Sequence, residues 1–86
     1  MTVVVPPPLH SYTQGVSRVM LEGRTLAELL AALDARYPGI RFRIIDEQDR
    51  VRPHIKVFIN GKLAPGIAES VSGEDEVHII CALSGG

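Results

Sequence analysis

The chain has 86 residues, with nine basic against ten acidic side chains and a formal net charge of -1. A chain near this size hides roughly 60 to 65% of its unfolded surface, enough for one modest core and too little for a separate catalytic cleft. The near-neutral charge excludes the basic footprint of a nucleic-acid binder. The single cysteine, Cys81, excludes an intrachain disulfide, a two-cysteine redox motif and a thiolate-rich zinc site. One domain over residues 1–86, with proteins as its partners, is the expectation. Met1 to Val5 followed by three prolines lacks the leader of a secreted protein, and no segment approaches the roughly 18 apolar residues of a membrane span. A cytoplasmic protein with no membrane contact is expected.

In chain order, Thr2 to Val5 is short and β-branched, and Pro6, Pro7 and Pro8 end it because they cannot donate to a sheet ladder. A loop through Gly15 leads to a second strand, Val16 to Glu22, in which Ser17, Val19 and Leu21 alternate with Val16, Arg18 and Met20. Thr25 and Glu28 form a capping box at the head of a helix. Leu26, Leu29, Leu30, Leu33 and Tyr37 recur there at helical spacing until Pro38 and Gly39 stop it. The other side of that helix, with Ala27, Glu28, Ala31, Asp34 and Ala35, is left for solvent. Ile40 to Ile45 reads either as a helical turn or as irregular chain, and Asp46 to Arg52 as a charged surface loop.

Alternation returns from His54 to Asn60, with Ile55, Val57 and Ile59 on one face and Lys56, Phe58 and Asn60 on the other. Asn60 and Gly61 supply a turn, Leu63 to Ser72 reads as loop with at most a short bridge of strand, and Gly73 to Asp75 form the last turn. In the final strand, Glu76 to Ala82, Val77, Ile79 and Cys81 face one way and His78 and Ile80 the other. The predicted architecture is α+β, one helix crossing a mixed sheet of four to five strands.

The sequence then closes on Leu83, Ser84, Gly85 and Gly86. An anchored strand running into a short tail predicts a flexible extension over 83–86. Its terminal carboxylate would stand roughly 15 Å from the body at about 3.3 Å per extended residue. Glycine at both final positions removes any Cβ that would block close approach in a narrow channel, and Leu83 adds one apolar grip.

The order of strand pair, capped helix ending in Tyr37, Pro38 and Gly39, then Val57 to Gly61, Gly73 to Val77 and the terminal Ser84, Gly85 and Gly86 resembles the ubiquitin-like sulfur carriers of the MoaD and ThiS family. Within it, Pro8 to Gly15 and Asp34 to Asp46 are most similar to the CysO type. The resemblance implies a β-grasp fold and a protein that is a co-substrate rather than an enzyme. Gly86 would be the reacting residue, adenylated by a ThiF- or MoeB-like enzyme that consumes ATP and then converted by a sulfur donor to a thiocarboxylate. A sulfur-acceptor synthase would take the sulfur for cysteine, molybdopterin, thiamine, thiolated tRNA or a secondary metabolite. Leu83, Ser84 and Gly85 would be read by the receiving channel, and no bound cofactor or metal is implied.

Phe58 and Ile80 point to the sheet face that the helix does not cover, and Val4 joins them if Val3 and Val5 face the core; such an apolar cluster on a small protein marks a partner-binding surface. Cys81, on the face of Val77 and Ile79, reads as a small buried hydrophobe rather than an exchanging thiol. His10, His54 and His78 are isolated, without metal-ligand spacing. Two other functions fit the same tail: a ubiquitin-like modifier joined through Gly86 to lysines, and a docking module such as the non-catalytic subunit of a molybdopterin synthase.

Overall fold

A computed structural model describes residues 1–82, and the tail positions Leu83, Ser84, Gly85 and Gly86 lie outside the described residues. Five strands form one mixed sheet: β1 (Thr2–Val4), β2 (Arg18–Met20), β3 (Ile55–Ile59), β4 (Lys62–Leu63) and β5 (Glu76–Cys81), in the order β2-β1-β5-β3-β4. β1 and β5 run parallel and the other pairs antiparallel. The last strand in sequence is therefore the middle strand in space, bonded on both sides. β-Branched residues at alternate positions place Val3, Val57, Val77 and Ile79 on one face, all buried.

That face is covered by α1 (Leu26–Arg36), whose Leu26, Leu29, Leu30 and Leu33 are buried at helical spacing. Full burial of each such side chain is worth roughly 1.5–3 kcal/mol, so this stripe decides which way the helix lies. The helix starts where expected: the Thr25 hydroxyl accepts from the Glu28 amide at 3.2 Å. The Glu28 carboxylate reaches one residue further back than a capping box requires and accepts from the Arg24 amide at 3.0 Å. Its end is held by Asp34, whose Oδ1 accepts from the amides of Gly39 (3.0 Å) and Arg41 (3.1 Å).

Gly39 has φ +96°, and a Cβ placed there would lie 3.3 Å from the Tyr12 ring. Gly39→Ala is expected to cost about 1–2 kcal/mol, because an L side chain is strained at positive φ and the ring must give way. Thermal unfolding should register this as a fall of about 5–10 °C in Tm for a domain this small. An unchanged Tm would show that the turn adopts another conformation.

Several segments differ from their sequence reading. The second strand contracts to Arg18–Met20 because its partner β1 pairs over only three residues, Thr2–Val4, before the prolines. Single bonds, Val5 N–H to the Ser17 carbonyl (2.8 Å) and Leu21 N–H to the Met1 carbonyl (3.0 Å), flank the ladder. Ile40 to Ile45 contains a second short helix, α2 (Arg41–Ile44), with Ile40, Ile44 and Ile45 fully buried. One turn is too short to show a period, and only the core it plugs decides its form. The charged connection is a tight turn in which the Asp46 side chain accepts from the amides of Gln48 (2.8 Å) and Arg50 (3.0 Å). Those bonds, that from Arg50 first, hold the Asp46 carboxyl below its ordinary range. The prolines themselves open a 3-10 turn, Pro7–Leu9, that buries Leu9.

Candidate docking face and tail root

Register across the sheet assembles the uncovered face residue by residue. Val4 pairs with His78, His78 with Phe58 and Phe58 with Leu63, so these four stand in one row across β1, β5, β3 and β4. The next row along pairs Ile80 with Lys56. The expected surface residues Val4, Phe58 and Ile80 thus share a face, as the alternation implied, but they are not equally open. Ile80 is 42% exposed, whereas Val4 and Phe58 are half-buried and separated by the His78 side chain. Phe58 lies between His78 and Leu63 in register, each on a bonded neighbour strand.

Two exposed apolar residues were missing from the sequence reading of this face. Leu63 is 56% exposed beside Phe58, and Met20, 66% exposed, stands at the far edge opposite Thr2, whose hydroxyl donates to its sulfur at 3.2 Å. Leu63 was legible in principle. Asn60 and Gly61 both have positive φ, 50° and 84°, as a two-residue hairpin turn requires, and such a turn sets Leu63 opposite Phe58. The sequence reading allowed a short bridge of strand from Leu63 onward but did not pair it with Phe58.

Charged groups frame the apolar row. Glu76 accepts from the Arg18 guanidinium at 2.9 Å and from His78 Nε2 through its other oxygen, tying β2 to β5 across β1. The hydrogen bond from His78, assisted by the charge of Arg18, holds the Glu76 carboxyl below its usual range. At the start of β5, Asn60 donates to Asp75 (2.9 Å) and accepts from the Glu76 amide (2.9 Å), while Asp75 also accepts from the Ser72 amide (2.8 Å). The Ser72 bond, then that from Asn60, lowers the Asp75 carboxyl as well. This clamp fixes where β5 begins, and so the register in which it delivers its far end.

At that far end Cys81 pairs with Ile55, and the Ala82 amide donates to the His54 carbonyl at 2.7 Å, so backbone pairing holds the chain through the last described residue. Cys81 is half-buried against the core and burial pushes its thiol up, away from the reactive thiolate. His10 Nε2 bonds the Val5 carbonyl at 2.9 Å, His78 bonds Glu76 and His54 is exposed. Where β1 ends at the prolines and β5 runs on, a groove of about 660 Å³ opens among Val4, Pro6, Pro8, Ile79, Ile80 and Cys81. It extends the apolar face toward the root of the tail. Among the described residues no helix is long and apolar enough to cross a membrane.

Comparison with known proteins bears on both the fold and this face. The sulfur carrier protein CysO of Mycobacterium tuberculosis is 30% identical over 91 residues, which covers all of this chain and 98% of that protein. A crystal structure of M. tuberculosis CysO matches with a TM-score of 0.89 at 28% identity, covering 95% of this chain and 98% of that one. The Amycolatopsis orientalis BexX/CysO complex contains a chain matching at TM-score 0.91 and 28% identity, with 99% and 98% covered. SAMP1 from Haloferax volcanii matches at 0.78 and 26% identity, with 100% and 98% covered. These neighbours share the ubiquitin-like β-grasp arrangement of a mixed sheet with one main helix across it. The ThiS family model matches residues 3–86, from the first strand through the two glycines that the sequence reading singled out. With the family's pattern matched over nearly the whole chain and a full-length relative at 30% identity, this protein belongs to the ThiS family.

Proposed function

We propose that this protein is a sulfur carrier whose Gly86 carboxylate is activated by a separate adenylating enzyme and converted to a thiocarboxylate. The observation that carries the reading is the position of β5: the strand leading to residues 83–86 is the middle strand, paired with β1 and β3 and bonded through Ala82. A tail reacting deep inside another protein needs a rigid root, and no strand is better anchored than this one. The family match, which runs through residue 86, supports the same reading.

A carboxylate near pH 7 is almost wholly ionised, with a terminal pKa of about 3.5, and its charge repels nucleophiles. Attack of a Gly86 carboxylate oxygen on the α-phosphorus of ATP expels pyrophosphate and leaves an acyl adenylate. Sulfide carried by a donor then attacks the acyl carbon and expels AMP. ATP is consumed by the partner, a ThiF- or MoeB-like enzyme, and the carrier itself supplies only the acyl group. Leu83, Ser84 and Gly85 are the segment threaded through the channel, and Val4, Phe58 and Ile80 rest on the enzyme's surface. A sulfur-acceptor synthase reads the same tail afterwards. The setting is the cytoplasm, where ATP is abundant and Cys81 stays reduced.

Intact mass after incubation with the adenylating enzyme, ATP and a sulfur source tests the reading. One oxygen replaced by sulfur, about 16 Da heavier, is expected, and Cys81→Ala should gain it equally because the sulfur resides on Gly86. Isopeptide adducts without sulfur gain would favour a protein modifier, the reading to which the likeness to SAMP1 lends weight. No change of mass at all would favour a docking module.

A further inference from the structure

Five of the nine basic residues fall between positions 36 and 52, namely Arg36, Arg41, Arg43, Arg50 and Arg52. Most are occupied with their surroundings. Arg41 pairs with Asp49 at 3.0 Å, Arg52 donates to the Phe42 carbonyl at 2.7 Å and Arg36 lies over the Tyr37 ring. Arg43 differs. Its Nε donates to the Tyr12 hydroxyl, its guanidinium carbon lies 5.6 Å from the centre of the Tyr12 ring, and among the described residues it has no carboxylate partner. Held at Nε, the guanidinium keeps its outer N–H groups for something else.

Those groups border a recess of about 440 Å³ lined by Leu9, Tyr12, Arg43, His54, Cys81 and Ala82, among others. Leu9 and Cys81 give it apolar lining, Arg43 and the exposed His54 give it polar groups, and Cys81 and Ala82 are the root of the tail itself. Any enzyme that takes the tail into a channel must cover this recess with the channel's mouth. We propose that the Arg43 recess is a second docking point, distinct from the apolar sheet face, that receives an acidic side chain at the mouth of the tail-receiving channel of the adenylating enzyme. A carboxylate matches the Nη1/Nη2 edge left open on a guanidinium held at Nε by Tyr12, and the ring fixes Arg43 before the partner arrives, so little side-chain freedom is lost on binding. Arg43 is a positioning residue: it sets how the tail enters and touches no reacting atom.

The inference rests on the proposed function and is tested with the adenylating enzyme of the source organism, identified by ATP–pyrophosphate exchange that depends on the parent chain. Arg43→Glu is expected to raise the KM for the carrier about tenfold with kcat unchanged, since the contact is made equally before and during the reaction. The difference from the parent should shrink as salt rises from 50 to roughly 500 mM, because a charge contact at an interface rim is screened. Arg43→Lys should recover most of the loss. Arg24→Glu, with the same change of net charge outside the recess, should behave as the parent. Thermal unfolding of each variant separates a folding defect from a docking one, and Arg43→Ala replaces Arg43→Glu if the latter unfolds. A folded Arg43→Glu or Arg43→Ala protein with the parent's KM overturns the inference while leaving the carrier function standing. An Arg24→Glu loss as large as that of Arg43→Glu also overturns it, since bulk charge would then be the cause. If no adenylating enzyme of the organism acts on the parent, the functional reading falls and this inference with it.

Discussion

One residue added after Gly86 is expected to abolish adenylation while leaving the thermal unfolding of the protein unchanged. The extension moves the free carboxylate about 3.3 Å along the tail and turns the former one into a peptide carbonyl, so the reacting oxygen no longer sits where the nucleotide phosphate is held. Reaction geometry tolerates little: an error of about 1 Å can cost roughly a hundredfold in rate. Deletion of Gly86 should be as severe. Gly86→Ala should be milder, because it adds a Cβ without shifting the carboxylate. The assay is ATP-dependent adenylate formation with no protease present to trim the addition. Activation of the extended chain at the parent's rate would remove Gly86 as the reacting residue and the carrier function with it.

The second large effect belongs to the sheet face. Ile80→Asp is expected to weaken binding to the adenylating enzyme about thirtyfold, the scale of losing one well-packed apolar anchor at an interface. The fold should survive, since Ile80 is 42% exposed and its cross-strand neighbour is Lys56, which an aspartate can pair with. Phe58→Asp should lose as much affinity and also some stability, because Phe58 is half-buried between His78 and Leu63. Titration calorimetry gives the affinity, and circular dichroism gives the fold. Parent-like affinity in a folded Ile80→Asp protein would mean that the partner rests on another surface. A combined Ile80→Asp and Arg43→Glu variant should show roughly the product of the two losses, because neither side chain lines the hollow beside the other.

What could be read in advance depended on whether a signal was local. The helix was legible to within a residue because its period and its Thr25 cap are written within twelve consecutive positions, Thr25 to Arg36, and the strands showed because alternation is a two-residue signal. α2 was not, since a single turn has no period and its helical form follows from where Ile40, Ile44 and Ile45 must go to fill the core. The candidate docking face was half legible. Alternation put Ile80, Phe58 and Val4 on the uncovered side, but how open each stands depends on which strands lie beside it, and that is a matter of sheet order.

The sequence by itself determined the α+β class, the buried face of α1, the outward side of β3 and β5, and the family through its element order and its final Ser84, Gly85 and Gly86. These depend on period, capping and turn chemistry, which act between residues a few positions apart. Only the tertiary structure decided that β5 is the middle strand, that His78 divides Val4 from Phe58, and that Tyr12 and Arg43, 31 positions apart, meet beside Ala82. Hydrogen bonds between strands are satisfied equally well in several orders, and the one adopted is chosen by burying Val3, Val57, Val77 and Ile79 together under α1, a sum over the whole chain that no short stretch contains.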